Sequence, residues 1–183
     1  MALSQAKPAR KCRQPTAQST HHVGLFLPIQ LHLLNANGQF DSIRERVESC
    51  FEQSLEEINA RLSIENVDVV VSVDPQRAIP QLGVGGHSPS GNCAFLTIDP
   101  DNPKFTDGFE SAFKRLLAHE LHHCARWSGP GYGNTLAEAI ISEGLACMFE
   151  AEICEGEIPF YAQALPPDQV VQLRARAADL LFG

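Results

Sequence analysis

A chain of 183 residues, 44% hydrophobic and 20% charged, has the ordinary makeup of one globular unit able to bury a core. Its net charge of -8 and pI near 5.3 exclude the terms on which nucleic-acid binders and anionic-membrane proteins rely, counterion release and surface attraction. The same balance suits cation binding.

The six cysteines, at 12, 50, 93, 124, 147 and 154, form no C-x-x-C pair and mostly sit in apolar patterns, so they read as reduced core residues. The N-terminal basic residues Lys7, Arg10, Lys11 and Arg13 lead into no apolar h-region with a cleavage site. Together these set the expectation of a cytoplasmic address. The most apolar run, Val23 to Leu34, is interrupted by Pro28, Gln30 and His32 and falls short of a bilayer span.

Residues 1–20, rich in Gln, Ser, Ala, Pro and basic residues, lack apolar periodicity and read as a disordered tail, leaving 21–183 as a single domain. His21-His22 reads as a solvated pair ahead of the first strand, Phe26 to Leu34, which the turn Asn35-Gly38 closes. From Asp41 to about Ser63 the positions Ile43, Val47, Cys50, Phe51, Leu55, Ile58 and Leu62 keep helical spacing, with Ser42-x-x-Glu45 available as a capping box. The β-branched run from Asn66 to Val73 predicts a strand that pairs with the first and lies centrally.

Residues 74–91, dense in Gly and Pro, predict a long loop or a glycine-rich hairpin whose backbone can approach a ligand. Cys93 to Asp99 is the next strand. Asp107-Gly-Phe-Glu110 is a candidate capping box for a helix running to about Trp127, which Ser-Gly-Pro-Gly-Tyr-Gly then breaks. A second helix follows, opened by the box Thr135-Leu-Ala-Glu138. A last amphipathic helix runs from Pro167 to about Leu181. Its apolar stripe is expected to pack on the domain or to dock a partner or second copy, forming a homo-oligomer.

The chemistry lies between residues 116 and 150. His119-Glu120-Leu121-His122-His123 contains H-E-x-x-H, and four residues on a helix amount to about 400°, so the rings of His119 and His123 project from one face and can share one ion. Glu120, about 100° away, is placed to deprotonate a water beside that ion. Spacing favours His123 over His122 as the second ligand. Phe113, Leu117, Leu121 and Cys124 fall on the opposite face, as in a helix buried on one side and open to a cleft on the other.

A catalytic zinc takes three protein ligands and keeps one position open. Glu143 on the following helix is the first choice for the third ligand, and Glu138, better explained as a cap, the second. Glu150, two turns beyond Glu143, either orients a ligand histidine through its ring N–H or faces solvent. A donor for an oxyanion could come from Tyr132, Arg126, His122, His87 or Tyr161, with Tyr132 preferred because a glycine-rich loop carries it beside the site.

H-E-x-x-H followed by a Glu on the next helix resembles the gluzincin group of zinc metallopeptidases. The text HELHHCARW and TLAEAIISEGLACMFE is similar to a mainly bacterial family of predicted zinc-dependent proteases. The resemblance is strongest over residues 112–150. It implies His119, His123 and Glu143 as ligands of one Zn2+ and Glu120 as general base, in a zincin-like α+β fold with a small mixed sheet against a metal-binding helix pair and extra scaffold helices. It also implies a peptide or protein substrate and a cleft-edge strand, expected at Asn92 to Thr97, to which extended substrate adds. Two other readings compete with a peptidase: a zinc protein that is another hydrolase or a silent binding module, and a metal-free scaffold.

Overall fold

Alternating burial organises the N-terminal half into a sheet. The computed structural model describes residues 29–182, so the expected tail, the His21-His22 pair and the first residues of the first strand lie outside the described residues. Within them, Ile29–Leu33 (β1), Val67–Val73 (β2), Val84–Ser90 (β3) and Cys93–Ile98 (β4) form a four-stranded sheet in the order β1-β2-β4-β3. β2 runs parallel to both β1 and β4, while β3 and β4 form an antiparallel hairpin. The α+β expectation holds, and β2 is central. The glycine-rich stretch divides: residues 74–83 stay as turns, and 84–90 form the outer arm of the hairpin.

One correction matters for the site. β4 was expected at the cleft edge, but it lies inside the sheet between β2 and β3, and the edge strand is β3. Its glycines carry little strand propensity. Val84–Ser90 nevertheless pairs because Val84 is fully buried and the turn at 91–92 folds it back on β4.

Helices cover one sheet face. Arg44–Asn59 (α1) and Phe109–Trp127 (α3) bring Val47, Ile58, Phe113, Leu117, Leu121 and Cys124, all fully buried, against Val69, Val71, Ala94 and Ile98. Phe105, Phe109 and Phe113 pack in succession with tilted rings, centroids 4.6 and 5.4 Å apart. The face of α3 read as apolar is therefore the one inserted into the core.

Two expected capping boxes do not form. Asn35 Oδ1 accepts from the Phe40 N–H at 2.8 Å and Phe40 is fully buried, so the chain is still turning at Ser42 and α1 starts at Arg44. At the other site Asn102 caps a short helix, Pro103–Asp107 (α2), by accepting from the Lys104 N–H at 2.9 Å. That helix takes up Asp107, leaving Gly108 as the N-cap of α3, and Glu110 instead forms a two-pronged pair with Arg46 at 2.7 and 3.0 Å.

The third box is present. Thr135 opens Leu136–Ile153 (α4) by accepting from the Glu138 N–H, while the Glu138 carboxylate accepts from the Thr135 N–H. Replacing Thr135 with Ala is expected to cost about 1 kcal/mol in urea denaturation, the usual loss for a side-chain N-cap.

The last helix, Pro167–Phe182 (α5), departs from the packing expectation. Val170, Val171, Leu173 and Leu180 are all exposed, so its apolar stripe does not join the core. Among the described residues no helix is long and apolar enough to cross a membrane. The described cysteines, 50, 93, 124, 147 and 154, are all free thiols, and three of them are buried.

Candidate metal centre

The H-E-x-x-H segment lies in the middle of α3, where the core grips one side and leaves the other facing α4. His119 Nε2 and His123 Nε2 approach to 3.0 Å. From α4, Glu143 brings one carboxylate oxygen within 3.3 Å of His119 Nε2 and the other within 3.5 Å of His123 Nε2. His123 is nearly buried, whereas the Glu143 side chain is 47% exposed, so the cluster is walled on one side and open on the other.

These spacings fit a metal. Tetrahedral zinc with bonds of about 2.0–2.1 Å has its ligand atoms about 3.3 Å apart, and the three donor separations lie on either side of that value. Two nitrogens and a carboxylate are also a donor set that zinc accepts. Among the described residues His123 Nδ1 is buried without a hydrogen-bond partner, so the polar contacts of this ring are made through Nε2, toward His119 and Glu143.

A family model for predicted Zn-dependent proteases, DUF2268, matches residues 47–177, well beyond the stretch on which the resemblance rests. The chain belongs to that family. No curated protein and no solved structure matches it. The match runs from within α1 to within α5, so it takes in β2, β3, β4 and both helices of the cluster but not β1.

Glu120, the residue read as a base, is 4% exposed and is held from β3. Ser88 Oγ lies 2.8 Å from Glu120 Oε2 and 2.9 Å from the Glu120 carbonyl, within donor range of both. A Cβ at Gly86 would stand 3.0 Å from Glu120 Cγ and Oε1, so glycine there is what lets the carboxyl lie under the edge strand. Burial pushes the Glu120 carboxyl upward, against the opposing pull of His119 and Ser88. Its side chain shares a cleft of about 360 Å³ with Ile79, Gln81, Gly86, His119, Glu143 and Tyr161.

Glu150 resolves the alternative left open for it. It is fully buried, with Oε2 3.2 Å from His119 Nδ1, which gives that ring an acceptor and turns its Nε2 toward Glu143. Burial disfavours charge on His119, but Cys147, Glu143 and Glu150 outweigh it and raise its pKa to about 11. The environment favours positive charge. His119 and then His123 hold the Glu143 carboxyl well below the usual carboxylate range.

The candidate oxyanion donors differ in what engages them. Tyr132 donates to Glu143 Oε1 and stacks on Trp127 at 5.8 Å; that hydrogen bond, with burial, pushes its phenol up to about 12, so it stays protonated. Tyr161 lines the cleft but is committed to Glu150 Oε2. His87 stacks on Phe95 at 5.1 Å, and strand alternation puts it on the sheet face away from Gly86, Ser88 and Glu120. His122 turns to Phe149, 5.7 Å away, and burial lowers its pKa. None of the described hydrogen bonds joins the Arg126 side chain to the cluster.

Glu138 stays at its cap, away from the cluster. Close approach of α4 to α3 depends on Ser142 and Ala146, both fully buried, not on Gly144, whose Cβ position is open, or on Ile140, which is exposed. Ser88 and Arg115 were not singled out from sequence. A serine in a glycine-rich strand and an arginine on an apolar helix face carry no spacing signal toward the site.

Proposed function

We propose that the chain is a zinc-dependent peptidase of gluzincin type, with His119, His123 and Glu143 as ligands and Glu120 as general base. The observation that carries this is the convergence of two Nε2 atoms and a carboxylate at 3.0–3.5 Å beside a buried carboxyl on the same helix. A zinc ion held there would supply Lewis acidity and water activation at neutral pH.

The chain's own residues supply the proton handling. Glu120, kept basic by burial and oriented by Ser88, takes a proton from the attacking water and later delivers it to the leaving amine. Tyr132 is the oxyanion donor once it leaves Glu143: its phenol keeps its proton, and it sits between Gly131 and Gly133, whose φ angles of +85° and +104° belong to a turn that can swing it off that carboxylate.

Substrate binds along β3. In the antiparallel pairing the outward-facing groups belong to Val84, Gly86 and Ser88. Two of these rungs are engaged already: the Val84 carbonyl accepts from the Ile79 N–H at 2.9 Å and the Ser88 carbonyl from Trp127 Nε1 at 3.0 Å. Gly86, directly above Glu120, is the rung that an extended peptide can use, so recognition is by few main-chain bonds and is brief along the substrate.

The test begins with metal content. Wild type equilibrated with zinc and dialysed is expected to retain one ion per chain by elemental analysis, and His119→Ala/His123→Ala to retain none. The wild type is then expected to cleave a mixed peptide library. Full zinc retention by the double variant overturns the ligand assignment, and a metallated wild type that leaves every peptide intact overturns the peptidase in favour of a zinc-binding module.

A further inference from the structure

Behind the metal centre lies a charged residue that the reaction does not use. Arg115, on α3 one turn before His119, is 6% exposed and enters the core side of the helix pair. Its Nη1 donates to Glu150 Oε1 at 3.0 Å and to the Glu157 carbonyl at 3.0 Å, and its Nη2 donates to Glu157 Oε2 at 2.8 Å. Glu150, fully buried, thus gives one oxygen to Arg115 and the other to His119 and Tyr161.

Burying an arginine is costly unless its charge is matched, so its partner should reveal its purpose. Glu157 is 75% exposed and needs no buried cation. Glu150 does, because a buried carboxylate already faces the site where Glu120 and Glu143 contribute two more. Against the two positive charges that a zinc ion would bring, these three carboxylates would leave one negative charge in excess. The guanidinium, whose other arm meets the solvent-exposed Glu157 carboxylate, offsets it from within the core. Arg115 holds Glu150 Oε1 by one charge-assisted bond while Tyr161 holds Oε2, and this pair of contacts sets the direction in which His119 Nδ1 finds its acceptor.

We propose that Arg115 is a positioning residue for the metal centre: through Glu150 it fixes the His119 imidazole and balances the charge of the zinc-loaded site. This rests on the zinc reading above.

The test is a chelator-competition measurement of zinc affinity, paired with the visible absorption of the cobalt-loaded protein. Arg115→Met is expected to weaken zinc binding by about 10–100-fold, the usual effect of losing an outer partner of a metal ligand, and to shift the cobalt bands. Arg115→Lys is expected to recover part of that loss. In a Glu150→Gln background neither change at Arg115 should lower affinity further, because the route to His119 is already cut. If Arg115→Met fails to fold by circular dichroism, Arg115→Lys with and without Glu150→Gln carries the same cycle.

Wild-type affinity in a folded Arg115→Met variant overturns the inference while leaving the zinc site standing, as do losses that simply multiply in the double variants. A wild type that binds no zinc overturns the reading of the site and this inference with it.

Discussion

Glu120→Gln is expected to lower peptide cleavage by about 10²–10⁴-fold, the range for loss of a positioned general base, while retaining one zinc per chain. The separation follows from the geometry. The three converging donors come from His119, His123 and Glu143, whereas Glu120 is fastened to Ser88 on the edge strand. The amide is nearly isosteric and can still accept from Ser88, so the fold has little reason to change. Steady-state cleavage together with metal content checks both halves. Zinc lost along with activity would mean that Glu120 is a ligand, and activity retained would mean that another group takes the proton.

Leu117→Ala is expected to act in the opposite sense. Leu117 is fully buried on the core face of α3, and truncating such a leucine costs about 2–5 kcal/mol, or roughly 5–20 °C in Tm for a chain of this size. Thermal and urea denaturation measure the loss. Whatever fraction remains folded should bind zinc as wild type does, since Leu117 points away from His119 and His123. A drop below about 1 kcal/mol would show that α3 is not the central support of this core.

The two helices of the site were legible because their periodicity and chemistry reinforce each other. Phe113, Leu117, Leu121 and Cys124 mark the buried face of α3, which leaves only one direction for His119 and His123. The Thr135 box fixed the start of α4 and, with it, which side of the helix Glu143 occupies. Edge position was not legible, because a strand's place in a sheet depends on pairings between distant segments. The resemblance puts the edge at Asn92 to Thr97, but the glycine-rich segment Val84–Ser90 folds outside it. Helix starts failed where a competing local contact won: Asn35 on Phe40 at one start and Asn102 on Lys104 at the other. Ser88 and Arg115 escaped because their roles exist only once β3 and α4 have been brought to α3.

The contacts of Ile79 and Trp127 on the outer side of β3 have a bearing on solubility as well. An unprotected ladder margin invites neighbouring molecules to extend it, the route by which sheets polymerise. Here that margin is interrupted on either side of Gly86, and Pro89 has no amide hydrogen to offer just beyond. A gap of one residue can seat a short ligand but is too brief to template a self-propagating stack, so the feature proposed to admit substrate also guards this border against fibrous assembly.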